Sequence, residues 1–161
     1  MTISNPAEAK RFVESWMGHR GVSGAEITQI QENIYFQLNG MSDIGIGFTV
    51  FQPKTWETTI SVIAEVKIGE PHLKIFETMR TKDREGFMLN LIKSITNLPA
   101  NYAFDPTYET AGYPRGIQFA KEIYYDNLTE DKLGNSMLDV IKCVSYVLWL
   151  FRVELGEVNE E

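Results

Sequence analysis

The hydrophobic residues nearest the start of the chain have helical spacing. Four of them lie three or four positions apart, which places them on one face of a helix: Ala9, Phe12, Val13 and Trp16. Ser4 or Asn5 can cap this helix, and Pro6 suits its first turn. Gly18 and Gly21 favour its end. The pattern predicts an amphipathic helix at the N-terminal end.

The next part of the chain alternates between hydrophobic and polar residues, which is the period of a β-strand with one buried face. The alternation predicts strands over 44–50 and 58–68, with the even-numbered residues buried. We expect an earlier strand over 34–38, followed by a turn at Asn39-Gly40. Together these segments indicate an antiparallel sheet that is covered on one side.

Helical spacing returns after the third strand. Residues 71–79 can form a short helix, and Asp83 can cap a longer one that ends at Pro99. The longer helix has an apolar stripe made of Phe87, Leu91, Ile95 and Leu98. Two more strands are expected over 102–104 and 117–125, paired across the polar loop between them.

The last predicted element is a long helix. Thr129 is a good N-cap, and Glu130 and Asp131 place negative charge at the positive end of the helix dipole. If the helix runs to Leu155, its roughly 27 residues make it about 40 Å long. Its uncharged run, 143–151, is shorter than the about 20 residues that a membrane span needs. The sequence therefore predicts no membrane association.

The long helix has two apolar stripes. The broad one is expected to cover the sheet: Leu133, Met137, Val140, Ile141, Val144, Val147, Leu148, Phe151 and Leu155. The second one lies on the opposite side: Tyr146, Trp149, Leu150 and Val153. A helix that is apolar all round is buried all round, so we predict that the second stripe is a homodimer interface. The alternative is that Phe12 and Trp16 of the N-terminal helix cover it within one chain.

Composition limits the class of protein. A hydrophobic content of 43% in 161 residues can build a core, and we predict one domain over 1–161. Lys and Arg number 15 against 22 Asp and Glu, a net charge of −7, which excludes nucleic acid as an expected partner. With one cysteine and no apolar segment near the N-terminus, we expect a cytoplasmic protein.

No residue pattern points to catalysis, a cofactor or a metal. Cys143 lies in an apolar helical run, which favours packing over nucleophilic chemistry. His19 and His72 are far apart and lack the short ligand spacing of zinc sites. Gly45 and Gly47 fall inside a predicted strand, which favours a bulge or a close approach over a phosphate loop. No spacing singles out an acid–base pair among the acidic residues considered: Glu65, Glu70, Glu77, Asp105 and Glu109.

Three segments carry a resemblance to a known family. They are residues 50–54 (VFQPK), residues 121–131 (KEIYYDNLTED) and Leu148-Trp149-Leu150. With the element order, the chain resembles a family of small uncharacterised archaeal proteins that share the type III secretion chaperone-like fold. The resemblance implies an α+β fold with about five antiparallel strands, helices mainly on one face, and the order α-β-β-β-α-α-β-β-α. Bacterial relatives of this fold are similar to dimeric effector chaperones or regulators.

Three functions remain open. The leading hypothesis is a non-enzymatic protein-binding or chaperone-like homodimer with an unidentified protein client. The second is a small-ligand sensor with a pocket near the 105–115 loop, where one of Tyr124 and Tyr125 is exposed and the other lies in the core. The third is an enzyme with unidentified acid and base residues.

Overall fold

The computed structural model describes residues 2–22, 25–26 and 31–156. Within those residues five α-helices and six β-strands follow one another along the chain: α1 (Pro6–Arg20), β1 (Ala25–Glu26), β2 (Ile34–Met41), β3 (Gly47–Pro53), β4 (Thr59–Lys67), α2 (Glu70–Thr78), α3 (Thr81–Thr96), β5 (Asn101–Phe104), α4 (Thr107–Ala111), β6 (Gly116–Tyr124) and α5 (Glu130–Leu155). A 3-10 turn, Tyr125–Asn127, precedes α5. The predicted order is confirmed, and the two-residue β1 and the short α4 are additions to it.

The strands form a sheet in the order β1-β2-β3-β4-β6-β5. The pairs β1–β2, β2–β3 and β3–β4 are antiparallel. Every strand except β1 has at least four residues, so the expected sheet of about five strands is confirmed. The α+β fold class is likewise confirmed.

Alternate residues of the central strands form the core, as the period of two requires. The buried face carries Phe36, Leu38, Phe48, Val50, Ile60, Val62 and Ala64. Trp16 of α1, which is fully buried, packs edge-on against the ring of Phe48 with 6.3 Å between centroids. Asn5 caps α1 by accepting a hydrogen bond from the amide of Glu8 at 3.0 Å. The predicted capped, amphipathic first helix is therefore confirmed.

The predicted turn at Asn39-Gly40 is wrong. Strand β2 continues through both residues to Met41, because both pair with β3, and the ring of Phe48 lies where a side chain at Gly40 would be. The turn instead occupies the residues between Met41 and Gly47, and Gly45 takes a left-handed conformation there (φ 79°). Residues 44–46, predicted as strand, belong to this turn, and Ile44 is exposed.

The chain divides into two compact units, each built from two separate stretches. The first unit is Met1–Ala64 with Ala120–Ile141. A buried polar link holds part of it together: the Tyr125 hydroxyl donates to Gln52 Oε1 at 2.6 Å, and Gln52 Nε2 donates to the Trp56 carbonyl at 2.7 Å. The prediction of a single domain over 1–161 stays a prediction.

The second unit is Glu65–Phe119 with Lys142–Glu161, and aromatic rings form its core. Phe76 is fully buried, stacks on Tyr113 at 5.2 Å and meets Phe151 edge-on at 6.0 Å. Phe87 packs against both Phe76 and Phe151. Asp83 lies inside the first turn of α3 rather than capping it, because the N-cap position is Arg80.

Candidate interaction surface

Helix α5 carries the predicted interface, and its boundaries follow from its sequence. The hydroxyl of Thr129 accepts a hydrogen bond from the amide of Lys132 at 3.1 Å, which caps the helix as predicted. Glu130 and Asp131 lie in the first turn. The side of α5 that faces the protein core carries Leu133, Val140, Ile141, Cys143, Val144, Val147 and Phe151, all buried.

The opposite side of the C-terminal half of α5 carries exposed apolar residues. Trp149 is 54% exposed and Val153 is 57% exposed. The Trp149 ring contacts the ring of Tyr146 at 5.8 Å between centroids. Tyr146, Trp149 and Val153 are spaced by three and then four residues, so they form one stripe, which we call the outer face of α5. The outer face of α5 is therefore an exposed apolar stripe.

Two assignments within α5 are wrong. Leu150, predicted on the second stripe, is buried (9% exposed) because it lies three and seven residues after the buried Val147 and Cys143. Leu148, predicted on the core stripe, is 46% exposed. Successive helical residues are about 100° apart, so a stripe read from spacing alone can shift by one position at its border. Of the four predicted interface residues, Leu150 is thus already covered by its own chain.

The alternative of intramolecular cover by α1 stays a prediction, and the exposure of the outer face bears on it only in the part of the chain that the structure describes. Trp149 and Val153 each keep more than half of their surface exposed there. Trp16 of α1 packs instead on Phe48, and Phe12 is half-buried. The described structure therefore leaves the outer face of α5 uncovered.

The residues considered for chemistry are placed separately. Cys143 is fully buried. Nδ1 of His19 lies 3.4 Å from Glu130, and Nε2 of His72 lies 3.4 Å from the carbonyl of Gly156. Among the residues that the structure describes, no three His, Cys, Asp or Glu side chains are grouped closely enough to hold a metal ion.

Asp105 has a structural role in the loop that the sensor hypothesis invoked. Its carboxylate accepts hydrogen bonds from the Arg115 amide at 2.7 Å and the Thr107 hydroxyl at 2.9 Å. Desolvation raises the pKa of Asp105, but hydrogen bonds from Arg115, Thr107 and Gly116 outweigh it and lower that pKa overall. The loop contains α4 and is thereby more ordered than its sequence indicated.

The two adjacent tyrosines divide as predicted, one in the core and one exposed. Tyr125 is 6% exposed and Tyr124 is 57% exposed. Burial raises the pKa of Tyr125, although its bond to Gln52 acts in the opposite direction. Tyr124 lines a cavity of 280 Å³ with Thr58, Asp126 and four other residues. None of the residues that line this cavity belongs to the 105–115 loop, and the pocket predicted near that loop stays a prediction.

A second cavity, of 340 Å³, was not predicted. Three separated stretches of the first unit line it: the end of α1 at Arg20, the β2–β3 turn at Asp43 and Ile44, and the first half of α5 around Leu138. Ile44, which lies beside the turn glycine Gly45, is 68% exposed at this cavity, but the strand predicted over 44–50 places it on the buried face.

The helices of the described residues differ from membrane spans in their combination of length and composition. None of them combines the length and the apolar composition that crossing a bilayer demands.

The element order and the sheet define the class of protein by its fold, which is α+β with the order of elements of the chaperone-like fold. The chain belongs to the family described as "Uncharacterized conserved protein (DUF2299)", whose model matches residues 9–151. The predicted membership in an uncharacterised family is confirmed. No curated protein matches the chain significantly.

Three solved structures share the fold. An uncharacterized protein from Methanothermobacter thermautotrophicus has a TM-score of 0.82 at 16% identity, covering 92% of this chain and 99% of that chain. A chain of the ExsC–ExsE complex has a TM-score of 0.52 at 12% identity, with coverages of 99% and 100%. YbjN from E. coli, described as a putative transcription regulator, has a TM-score of 0.53 at 10% identity, with coverages of 96% and 97%. At these identities the likeness shows the fold.

Proposed function

We propose that the protein is a non-enzymatic, chaperone-like binding protein that works in the cytoplasm as a homodimer. The observation that carries the proposal is the outer face of α5, where Trp149 and Val153 are more than half exposed beside Tyr146. A second copy of the chain offers the same stripe, and a two-fold interface requires such a self-complementary surface. That one similar structure is of a two-protein complex supports a protein as the further partner.

The spacing of the outer face suits an antiparallel pair of helices. Lys142, Tyr146, Trp149 and Val153 follow one another at intervals of four, three and four residues, the spacing of a coiled-coil seam. In an antiparallel two-fold pair, Tyr146 of one copy would lie against Trp149 of the other. Lys142 would then lie at the rim, where its ammonium stays in water while its methylenes cover apolar surface.

The energetics favour a dimer that depends on concentration. In a two-fold dimer each copy contributes Tyr146, Trp149 and Val153, which are already partly covered by their own chain, so burying the remaining apolar surface of all six contributes roughly 4–8 kcal/mol. Association costs an estimated 4–15 kcal/mol in lost translational and rotational freedom. The two terms are of the same order, so we expect the dimer to dissociate on dilution.

Light scattering during size-exclusion chromatography tests the proposal. We expect the wild-type chain to have twice the monomer mass at high micromolar concentration, and Trp149→Glu to have the monomer mass. Leu89→Glu is the matched control, because Leu89 is an exposed leucine (53%) on α3 and outside the outer face of α5. A monomeric wild-type protein at high micromolar concentration would show that the dimer proposal is wrong. So would a dimer that Trp149→Glu leaves intact.

The proposed client binding has its own test. Affinity capture uses three baits: the wild-type protein, Trp149→Glu and the control Leu89→Glu. Proteins captured by the wild type and Leu89→Glu but not by Trp149→Glu are clients that need the dimer, and proteins captured by all three do not need it. Clients must be captured reproducibly and must bind the purified chain directly. The proposal of a protein-binding role fails if no captured protein binds directly.

A further inference from the structure

The 340 Å³ cavity in the first unit has one firm wall made by the β2–β3 turn. The Ser42 hydroxyl accepts a hydrogen bond from the Ile46 amide at 3.0 Å, and the Ser42 carbonyl accepts one from Gly45 at 2.9 Å. The Ser42 amide donates to the Ile46 carbonyl at 2.9 Å. These bonds fix the tip of the turn and hold Ile44 at the cavity with 68% of its surface exposed.

The opposite wall is the first half of α5. Leu138, which is 46% exposed, follows Gly134 by one helical turn, and both line the cavity. A Cβ at Gly134 would lie 3.3 Å from the guanidinium of Arg20, so that guanidinium lies against the helix where a side chain is missing. The cavity thus lies between the β2–β3 turn and the first half of α5.

The charges at the cavity are unequal. Asp43 and Asp131 contribute two carboxylates, and Arg20 contributes one guanidinium. The sum is one negative charge, in a chain whose net charge is −7. The charge of the cavity and the net charge of the chain both favour a cation over an anion as the ligand. The volume lies near the lower end of the about 300–1,000 Å³ range of small-molecule sites, which are apolar with a few convergent polar groups.

We propose that this cavity binds a small amphipathic amine. Its ammonium group lies at the carboxylate of Asp43, and its alkyl or aryl body lies between Ile44 and Leu138. The cavity and the outer face of α5 share no residue. A free amine and a lysine side chain of another protein offer the same ammonium group, and the proposal commits to the free amine with a bulky apolar body.

Two-dimensional amide NMR of the full chain, titrated with 4-phenylbutylamine at neutral pH, tests the proposal. We expect saturable shifts of amides in the β2–β3 turn and around Gly134. We expect 4-phenylbutyrate, which has the same body and the opposite charge, to bind at least about fivefold more weakly. Nα-acetyl-lysine amide, which has the ammonium group and a short aliphatic body, should also bind more weakly than the arylalkyl amine.

Variants then locate the site. Asp43→Asn, on an exposed turn, should weaken binding of the amine about two- to fivefold. Asp126→Asn is the matched control, because Asp126 lines the 280 Å³ cavity of the same unit, and it should bind like the wild type. Gly134→Leu should abolish binding by filling the cavity, and the Cβ that it adds meets only the flexible end of Arg20.

Several results would overturn the proposal. They are no saturable shift with 4-phenylbutylamine, equal binding of 4-phenylbutyrate, and unchanged binding in Asp43→Asn. Equal affinity for Nα-acetyl-lysine amide would show that the apolar body is unused, and a lysine of another protein would then be the better candidate. Loss of binding in a folded Asp126→Asn variant would place the site at the other cavity.

Discussion

Replacing Tyr125 by phenylalanine tests the buried polar link of the first unit. The hydroxyl of Tyr125 donates to Gln52 Oε1 at 2.6 Å, and Gln52 has no exposed surface. Tyr125→Phe removes the donor and keeps the ring, so packing is preserved while the Gln52 oxygen loses this partner. Leaving a buried acceptor without a partner costs about 1–3 kcal/mol. For a chain of this length that corresponds to a fall in Tm of about 2–12 °C.

Tyr124→Phe is the matched control, since Tyr124 is the adjacent tyrosine and is 57% exposed. Thermal and urea unfolding of both variants and the wild type measure the free energies of unfolding. A double-mutant cycle adds Gln52→Leu, which removes the acceptor. We expect a coupling energy of about 1–3 kcal/mol between the two positions, because the orphaned oxygen is absent from the double variant.

The same tyrosine predicts a pH dependence. Burial raises the pKa of Tyr125 in the folded state, whereas an unfolded tyrosine ionises near its ordinary value of about 10. The unfolded state therefore releases its proton first as the pH rises. The stability that this difference contributes is present below about pH 10 and is lost as the pH rises through the folded-state pKa. Tyr125→Phe should show a smaller loss over that alkaline range than Tyr124→Phe.

The reasoning about the link would be refuted if Tyr125→Phe were no more destabilising than Tyr124→Phe. A coupling energy near zero with Gln52→Leu would refute it as well, since the two side chains would then act independently. An identical alkaline loss of stability in both tyrosine variants would show that Tyr125 is not the group responsible.

Two other substitutions follow from the positions that spacing misassigned. Leu150→Glu buries a carboxylate and should destabilise the fold by several kcal/mol. Leu148→Glu, on an exposed leucine, should change the free energy of unfolding by about 0.5 kcal/mol or less. Urea unfolding measures both, and the reverse order would contradict the burial of Leu150. Gly40→Ala should lower the free energy of unfolding by about 1–3 kcal/mol, because the added methyl group displaces the Phe48 ring. The control Gly18→Ala meets no neighbouring atom and should be neutral or stabilising. Equal effects of the two variants would contradict the close packing at Gly40.

Local signals predicted most of the fold. Thr129 and the acidic residues after it placed the start of α5, and its end at Leu155 also agrees. Asn5 and Pro6 placed the start of α1 in the same way. These succeed because a helix cap is decided within one turn of the chain.

The failures occur where a distant residue decides the local structure. Asn39-Gly40 has the composition of a hairpin turn. Position 40 is glycine, however, because the ring of Phe48 occupies the space that a side chain there would need. Gln52 is polar and would be expected at the surface, yet its partner Tyr125 lies 73 positions away and allows its burial. No local pattern carries either fact.

The candidate sites divide in the same manner. Trp149 and Val153 could be found from helical periodicity, because both belong to one helix. The 340 Å³ cavity could not, since Arg20, Asp43 and Leu138 come from three stretches that only the tertiary structure brings together. Leu148 and Leu150, at the border between the two stripes, were each assigned to the wrong stripe. Helical spacing gives the angle between two residues, but it does not show which side of the helix faces the core.

The division of both compact units into two stretches has a consequence for synthesis on the ribosome. The first unit needs residues up to Ile141, and the second needs residues beyond Lys142. Neither unit is therefore complete in a nascent chain that ends before α5. Strands β2, β3 and β4 pair with their neighbours in sequence, but β4 also lies next to β6, and this pairing must wait until α2, α3, β5 and α4 have emerged. Until then the apolar edge of β4 is exposed on the nascent chain, a state that favours aggregation. A protein proposed to act as a chaperone would thus depend, early in its own synthesis, on protection of its nascent chain.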